Sequence, residues 1–248
     1  MKDVKDGGSR IAIIHNGSPL FNGDAGSGPS EIRKYIIEND LLETIISLPN
    51  DIFYNTGITT YLWILDNNKP AHKKGKIQLI DANKVFKKMR KALGNKRNEI
   101  TPEQIKEITR IYGEYVAKEY KVGECDLEVK IFNNDDFGYN KVTVLSPLKD
   151  ENGNLILDKK GKIQVDKDKT DTEIISFGVD FSDYMNKNVL PFNPDAWIDE
   201  NKTKIGYEIP FTRLFYKYIP PTPSEQIFEE IKRLEEEETK LMKELFGE

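Results

Sequence analysis

The chain has 248 residues, 32% of them charged, and a formal net charge of −5, which argues against a free-standing, uniformly basic nucleic-acid-binding protein. Its one cysteine, Cys125, excludes an intrachain disulfide, and His15 and His72 have no partner at zinc-site spacing, so no metal is predicted. No apolar stretch reaches the roughly 18 residues that span a bilayer. We therefore expect a cytoplasmic protein without membrane contact.

The first element is a short apolar strand, residues 11–15, which leads into a polar, glycine-rich loop. An all-apolar strand is typical of a parallel sheet, in which both strand faces are buried. The sequence therefore predicts that this strand lies inside a sheet. Because almost nothing precedes it, we expect the chain to be the back half of a larger α/β domain.

A helix and three strands are predicted next. Pro29 suits the first helical position and Glu31 the first turn. The expected inner face of this helix consists of Ile32, Tyr35, Ile36 and Ile37. Residues 42–48 form a strand, residues 58–65 a returning strand rich in β-branched and aromatic side chains, and residues 77–81 one more strand.

The remainder is less regular until the tail. A capping-box pattern at Thr101 starts a helix that is expected to run to about residue 120. Short strands are expected near residues 129–132 and 141–145, with hairpin turns at 152–153 and 160–161. After a proline-rich linker, a helix is predicted from Ser224. Its apolar seam has 4-3-7-4 spacing, typical of a helix that packs on another helix, and consists of Ile227, Ile231, Leu234, Leu241 and Leu245.

One stretch of the chain is strongly basic. Residues 69–97 contain eleven Lys or Arg residues and one acidic residue, Asp81. Its densest part consists of Lys87, Lys88, Arg90, Lys91, Lys96 and Arg97. Such side chains can neutralise DNA phosphates in a salt-sensitive way that does not depend on base sequence. The alternative is that they form the solvated face of a helix.

Four ordered blocks carry a family resemblance: residues 15–28 (HNGSPLFNGDAGSG), 48–60 (LPNDIFYNTGITT), 94–97 (GNKR) and 206–213 (GYEIPFTR). They resemble the modification subunit of type I restriction-modification systems. Those subunits are S-adenosylmethionine-dependent DNA adenine-N6 methyltransferases. The similarity runs over most of the chain, including residues 136–139 and the proline linker.

Two motifs that the resemblance leads us to expect are missing. The family has a glycine-rich cofactor loop after its first strand and an Asn-Pro-Pro-aromatic tetrapeptide after its fourth. Residues 191–194 (PFNP) lack adjacent prolines and lie far downstream of the sheet. Residues 23–28 (GDAGSG) follow the fifth strand and lack the acidic ribose ligand. The chain therefore resembles strands five to seven and the C-terminal extension of the family.

The fold class that this implies is α/β. We expect the C-terminal half of a class I S-adenosylmethionine-dependent methyltransferase (Rossmann-like) sheet over residues 1–98. A helical and mixed α/β extension would follow over residues 99–222, and a C-terminal amphipathic docking helix over residues 223–248.

The resemblance also implies a pocket for the target base. A methylated adenine must leave the duplex, and an aromatic face compensates for its lost stacking by about 1–3 kcal/mol. Phe53 or Tyr54 would provide this face; alternatively, they are core aromatics that seal the hairpin. Asn55 would shape the pocket or serve only as a turn. His15 and Asn16, at a strand's carboxyl end, would contact the base edge or a phosphate, or His15 is only a structural hydrogen-bonding residue.

The intact subunit would transfer methyl from S-adenosylmethionine to N6 of adenine in a specific DNA site. No catalytic residue is assigned to this chain, which alone is expected neither to bind the cofactor nor to transfer methyl groups. Its partners would be double-stranded DNA and the DNA-specificity subunit, docked on the tail seam; whether a nuclease subunit joins stays open. Alternatively, the tail packs on its own domain. The rival function is a non-catalytic module that bridges DNA and another protein.

Overall fold

The computed structural model describes residues 1–218 and 220–247, and its contacts divide the chain into two compact units, Met1–Leu214 and Phe215–Glu248. The strands are β1 (Arg10–His15), β2 (Leu42–Leu48), β3 (Thr60–Asp66), β4 (Lys76–Asp81), β5 (Lys87–Leu93), β6 (Lys96–Glu99), β7 (Glu119–Val122), β8 (Cys125–Asn133), β9 (Gly138–Leu145), β10 (Asp171–Ser176) and β11 (Trp197–Tyr207). The α-helices are α1 (Ser18–Phe21), α2 (Gly28–Glu38), α3 (Pro102–Glu114), α4 (Phe181–Tyr184), α5 (Phe211–Phe215) and α6 (Ser224–Phe246), with a π-helical turn at Met185–Val189. Short 3-10 helices lie at Val4–Asp6, Ala71–Lys73, Asn134–Phe137 and Lys167–Lys169.

The main sheet has six strands in the order β1-β3-β2-β4-β8-β7. β2 and β4 are parallel, and β3 returns antiparallel between β1 and β2, so β1 also runs parallel to β2. In this register His15 lies opposite Tyr61, and Leu48 lies opposite Thr60. The carboxyl ends of β1, β2 and β4 therefore lie together at one end of the sheet, which we call its carboxyl end. The sheet continues through β8 past residue 98, where the sequence suggested a domain boundary.

The sequence predicts that the first strand lies inside the sheet of a larger domain, and within this chain the strand is left uncovered. Among the described residues, β1 pairs only with β3, and five of its six residues are exposed. Ile13 and Ile14 are 39% and 49% exposed and, as neighbours in a strand, they lie on opposite faces. β1 is thus an edge strand that is apolar on both faces, and its outer backbone groups are open.

The predicted inner face of α2 was also partly wrong. Its buried residues are Ser30, Arg33 and Ile37, whereas Ile32 and Tyr35 are 62% and 63% exposed. The buried positions follow helical spacing, so the helix is amphipathic as expected but is turned on its axis. The reason is Arg33, whose guanidinium group occupies the buried face.

The opposite face of the sheet is closed by α3. Ile108 and Ile111 of this helix pack in one buried cluster with Ile46, Ile64 and Ile80 of β2, β3 and β4. The predicted capping box is present at the start of the helix, but α3 ends at residue 114 instead of about residue 120. The next residue has a left-handed backbone with φ 54, and the chain then enters β7.

A smaller sheet has the order β10-β9-β11 and is antiparallel throughout. Its core contains Val142 and Val144 of β9 and Ile175 of β10. In β11, a Cβ at Gly206 would lie 2.3 Å from the outer end of the Tyr139 ring, so glycine leaves the space that this ring occupies. This contact anchors β11 just before the chain returns to the main sheet.

At the end of the main sheet opposite its carboxyl end, a polar network joins five elements: β1, β2, β3, α3 and the 3-10 helix Ala71–Lys73. The carboxylate of Glu43 is fully buried; Lys73 Nζ lies 2.6 Å from its Oε1, and the Tyr112 hydroxyl donates to the same oxygen over 3.0 Å. Arg10 of β1 pairs with Asp66 of β3 at 2.7 Å and lies 3.5 Å from Glu43. Since a buried charge is tolerated only when it is paired, this network holds the end of β1 against β2, β3 and α3.

The tail helix α6 begins at Ser224, as predicted, and all its residues from 224 to 246 are exposed. Its 23 residues extend over roughly 35 Å at 1.5 Å per residue. Within the described part of the chain, no helix combines the length and hydropathy needed to cross a bilayer.

The network at Glu43 predicts a large loss of stability on substitution of Lys73. Lys73→Met keeps the side-chain volume but leaves the Glu43 carboxylate buried without its cation, which is expected to cost about 3–5 kcal/mol. The measurement is the urea midpoint of unfolding. Lys121→Met is the control, because its ion pair with Asp126 is exposed and its loss should leave the midpoint unchanged. Equal midpoints for the two variants would contradict the prediction.

Candidate nucleic-acid interface

Segments that are distant in sequence meet at the carboxyl end of the main sheet. Residues 15–28 follow β1, and residues 48–60 connect β2 to β3. Residues 94–97 contain the turn between β5 and β6, and residues 206–213 join β11 to α5. These are the same four blocks that carry the sequence resemblance.

We call residues 49–59 the aromatic loop. The loop is closed at its base by a hydrogen bond from Thr59 Oγ1 to Asn50 Oδ1 of 2.5 Å. A Cβ at Gly57 would lie 2.7 Å from Asp51 Oδ1, so a larger residue there would displace the Asp51 side chain. The predicted turn at residues 55–57 is therefore a tightly packed segment of this loop.

The two predicted stacking residues differ in exposure. Phe53 is half-buried, whereas Tyr54 is 64% exposed at the surface of the loop. Lys96 Nζ lies 5.3 Å from the centre of the Tyr54 ring, within cation–π distance. Of the two, Tyr54 has the ring that a flat ligand could cover.

The densest part of the basic stretch is a hairpin, so the helical alternative was wrong there. β5 and β6 pair antiparallel, and their turn packs on the aromatic loop. The backbone N–H of Asn95 donates to the Tyr54 carbonyl over 3.0 Å, and the N–H of Arg97 donates to the Asp51 carbonyl over 2.9 Å. The hairpin therefore places Lys96 beside the exposed aromatic ring and carries the other cations of the dense part on the same element.

Not every cation of residues 69–97 is available to a ligand. Lys69 is buried with its Nζ 2.6 Å from Asp40, and Lys73 belongs to the buried network. Lys69 also donates to the carbonyl of Lys76, so it is a structural residue. In the dense part, five cations are exposed and Lys96 is half-buried; the exposed ones are Lys87, Lys88, Arg90, Lys91 and Arg97.

His15 and Asn16 line an open groove of about 460 Å³ between the end of β1 and helix α2. Its walls are mainly apolar and include Ile13, Ile32 and Trp63. The buried Trp63 indole N–H has no hydrogen-bond partner among the described residues. Asn16 Oδ1 accepts from a backbone N–H two residues on, so part of its polarity stabilises the local turn.

Arg33 is a residue of this region that sequence reasoning missed. It is 2% exposed, and its Nε donates to the Tyr207 carbonyl over 2.6 Å. Its terminal nitrogens donate to the carbonyls of Pro19, Asn22 and Gly23 at 3.2, 2.6 and 3.4 Å. Burial lowers its pKa, but an arginine begins far above neutrality and stays charged. The helical spacing of Ser30, Arg33 and Ile37 places the three residues on one face of α2, and this spacing was the sequence signal that Arg33 could be buried.

The segment between β11 and α5 packs against the loop after β1 and against the end of β3. The N–H of Ile209 donates to the Leu20 carbonyl over 2.9 Å. Phe211 packs edge-on against Tyr61 with ring centres 5.2 Å apart, and burial raises the pKa of the Tyr61 phenol. Gly17 lies against the same ring, since a Cβ there would be 3.4 Å away. Tyr61 therefore joins the end of β3 to the loop after β1 and to α5.

The arrangement has the chemistry of a nucleic-acid surface. It combines an exposed ring that can stack, cations that can pair with phosphates, and an adjoining apolar groove. Lys96 contacts the ring of Tyr54, and Arg97 bonds to the backbone of the aromatic loop. His15 and Asn16 lie at the same end of the sheet. Among the described residues, no three His, Cys, Asp or Glu side chains assemble a metal site.

The family model and the relatives that match this chain all belong to DNA methylases. The family model described as N-6 DNA methylase matches residues 1–169. The type I restriction enzyme MjaVIII methylase subunit of Methanocaldococcus jannaschii is 28% identical over 143 residues, 57% of this chain and 23% of that protein. The HindI methylase subunit of Haemophilus influenzae is 41% identical over 79 residues, 31% of this chain and 16% of that protein.

A solved structure, the type I restriction-modification system methyltransferase subunit from Streptococcus thermophilus, matches with a TM-score of 0.42 and 27% identity. The match covers 51% of this chain and 23% of that chain. The chain thus spans less than a quarter of the length of the relatives it matches.

The contacts of Arg33 predict that its loss will loosen the loop after β1. Arg33→Met removes the shared donor of four carbonyls, of which that of Tyr207 is buried, and we expect a loss of about 3 kcal/mol in the free energy of unfolding. A lower urea midpoint with an unchanged slope would show this. Arg110→Met, which removes an exposed arginine paired with Glu107 and Glu114 on α3, should not move the midpoint. If both variants unfold at the same urea concentration as the parent, the hydrogen bonds of Arg33 do not stabilise the fold.

Proposed function

Because the chain belongs to the N-6 DNA methylase family, we propose that it is the C-terminal part of the methyltransferase domain of a type I modification subunit. The intact subunit would transfer a methyl group from S-adenosylmethionine to N6 of adenine in DNA. The observation that carries the proposal is β1: an apolar strand, open on both faces and along its outer edge, at the start of a sheet whose carboxyl end bears the interface residues.

The open edge and the adjoining groove would receive the missing part of the sheet. Ile13 and Ile14 expose apolar surface on the two faces of β1, and Ile32 extends it onto α2. Natural sheets rarely leave such an edge open, because its unpaired N–H and C=O groups recruit other strands. Trp63 supports the same interpretation, since its buried indole N–H lacks an acceptor in this chain's described part.

The residues of this chain do not fit the cofactor. The glycine-rich turn at residues 23–28 uses its own donors: the N–H groups of Ala25 and Ser27 both bond to Asp24, at 2.9 Å each. Asp24 pairs with Lys141 at 2.7 Å, and the Gly23 carbonyl accepts from Arg33. The N–H groups of Ala25 and Ser27 are thus engaged within the turn itself, which supports a cofactor site in the missing part.

For the target base, we propose that Tyr54 stacks on the extruded adenine and that Phe53 packs behind it. Asn55, His15 and Asn16 would line the surroundings of the base. Phosphates would be bound by the hairpin cations Lys87, Lys88, Arg90, Lys91, Lys96 and Arg97. Double-stranded DNA is thus the proposed ligand of this end of the sheet, and its backbone would cross the hairpin.

The tail helix would bind a protein instead of DNA. From residue 225 onward the chain has nine acidic and four basic side chains, and the apolar seam is 47–74% exposed. An exposed apolar seam on a single helix is typical of a surface that packs on partner helices. We propose that the DNA-specificity subunit supplies those helices for Ile227, Ile231, Leu234, Leu241 and Leu245.

Calorimetry and complementation test the fragment proposal. The chain alone should give no saturable heat with S-adenosylmethionine. Adding a polypeptide that contains the cofactor loop and the Asn-Pro-Pro-aromatic motif of a related subunit should produce both cofactor binding and adenine methylation. Ile14→Lys should abolish this complementation, because it places a charge on the open edge.

Leu157→Lys is the matched control for this test, since Leu157 is similarly exposed, at 53%, but lies in a hairpin away from β1. Micromolar cofactor binding by the chain alone would overturn the fragment proposal. If no association occurs but the chain still binds DNA, the non-catalytic bridging module is the better interpretation.

Salt dependence tests the DNA surface separately. Replacing Lys87, Lys88, Arg90 and Lys91 by glutamine should reduce the slope of log K against log salt for duplex DNA by about 0.9 for each phosphate that is no longer neutralised. Fluorescence anisotropy at several salt concentrations gives this slope. The control replaces four cations of the tail helix, Lys232, Arg233, Lys240 and Lys243, with the same change in net charge and no expected effect on the slope. Equal slopes in both variants would exclude the hairpin as the phosphate site.

A further inference from the structure

We infer that the turn of the β5–β6 hairpin positions the aromatic loop, so that phosphate binding on the hairpin and base stacking on Tyr54 are coupled. The inference rests on the proposed DNA function of both segments. It assigns Gly94 and Asn98 as positioning residues, which act on the base through the loop without touching it. The physical basis is a set of contacts between the β5–β6 hairpin and the aromatic loop, which do not pair as strands of one sheet.

The hairpin holds the loop through its backbone carbonyls. Three N–H groups of the hairpin, those of Asn95, Arg97 and Asn98, donate to the loop. The first bonds to the Tyr54 carbonyl, and the other two both bond to the Asp51 carbonyl, at 2.9 and 3.1 Å. The carbonyl of the proposed stacking residue is therefore itself bonded to the hairpin turn.

A side chain adds a fourth bond. Asn98 is 7% exposed, and its Nδ2 donates to the Asn50 carbonyl over 2.9 Å. Because a buried amide must be paired, this residue ties the start of the loop to β6. The hairpin thus holds the loop at three points: residues 50, 51 and 54.

The held loop has an uncommon backbone. Asp51 has φ 57, in the left-handed region that side chains other than glycine rarely adopt. Such a conformation persists where surrounding contacts determine it. Here the two N–H groups that meet at the Asp51 carbonyl are those contacts, so displacement of the hairpin would release the loop from this conformation.

The hairpin turn fits the loop only with glycine at its tip. Gly94 has φ +64, and a Cβ at this position would lie 2.7 Å from the Tyr54 carbonyl oxygen. That oxygen belongs to the backbone, so it cannot move aside without moving Tyr54. This close contact, together with the hydrogen bonds at residues 50, 51 and 54, holds the proposed phosphate-binding cations at a fixed distance from the loop that carries the stacking ring.

The test compares two glycine substitutions in hairpin turns. Gly94→Ala adds a methyl group against the Tyr54 carbonyl, whereas Gly123→Ala adds one at φ +62 with nothing within 4 Å. Both carry the same backbone strain, so their difference reports the contact with the loop. The probe is a single-stranded oligonucleotide containing 2-aminopurine, which needs no base extrusion and whose fluorescence is quenched when an aromatic side chain stacks on it.

Two readouts are taken with the full chain. Anisotropy gives the affinity and its salt slope, and quenching at saturation gives the stacking per bound molecule. We expect Gly94→Ala to keep the salt slope, because every cation remains, but to lose at least about half of the quenching, as Tyr54→Ala does. Gly123→Ala should match the parent in both. Asn98→Ala, which leaves the turn intact, should also lose quenching and is the second variant if Gly94→Ala does not fold.

The outcomes are distinguishable. Equal quenching in Gly94→Ala, Asn98→Ala and Gly123→Ala overturns the coupling while the DNA surface stands. A parent chain whose binding is independent of salt, or whose quenching survives Tyr54→Ala, overturns the proposed DNA function and the inference with it. Loss of quenching only in the two variants that alter the hairpin–loop contacts supports the coupling.

Discussion

The buried guanidinium of Arg33 is the interaction on which the carboxyl end of the sheet depends. It donates to four carbonyls from two segments, so its charge is stabilised by backbone dipoles, with a further Coulombic contribution from Glu208. Those carbonyls can be satisfied together only if α2, the loop after β1 and the end of β11 are all in place. One side chain therefore makes the placement of the groove beside β1 conditional on the second sheet.

The two ends of the main sheet have different physical roles. At one end, charges are removed from solvent and paired around Glu43, which makes that end rigid and unsuited to binding. At the other end, charges stay exposed on the hairpin and the ring of Tyr54 stays uncovered. Since both ends share the same strands, the polar network holds the register in which His15, Tyr61 and Leu48 come together.

Local rules were sufficient where the sequence has a clear period or a stop signal. The strands at 42–48 and 76–81, the capping box at Thr101 and the tail helix were predictable for this reason. Charge count alone has no period, so the basic stretch was undetermined; the Gly94-Asn95 pair was the overlooked hairpin signal. The apolar residues of β1 indicate a strand suited to burial but do not identify the partner that would cover it. The placement of α2 required knowledge of β11, more than 150 residues away in sequence.

If two copies pair through an edge that is apolar on both faces, the chain's state in solution would depend on its concentration. Two identical edges can pair antiparallel about a twofold axis, which closes the assembly and hides the outer backbone groups of both copies. Such a pair would compete with any other strand for the same hydrogen bonds. A polypeptide that supplies the complementary part of the sheet would then have to displace the second copy of the chain. The outcome would depend on the ratio of the association constants of these two pairings and on the relative amounts of the two polypeptides.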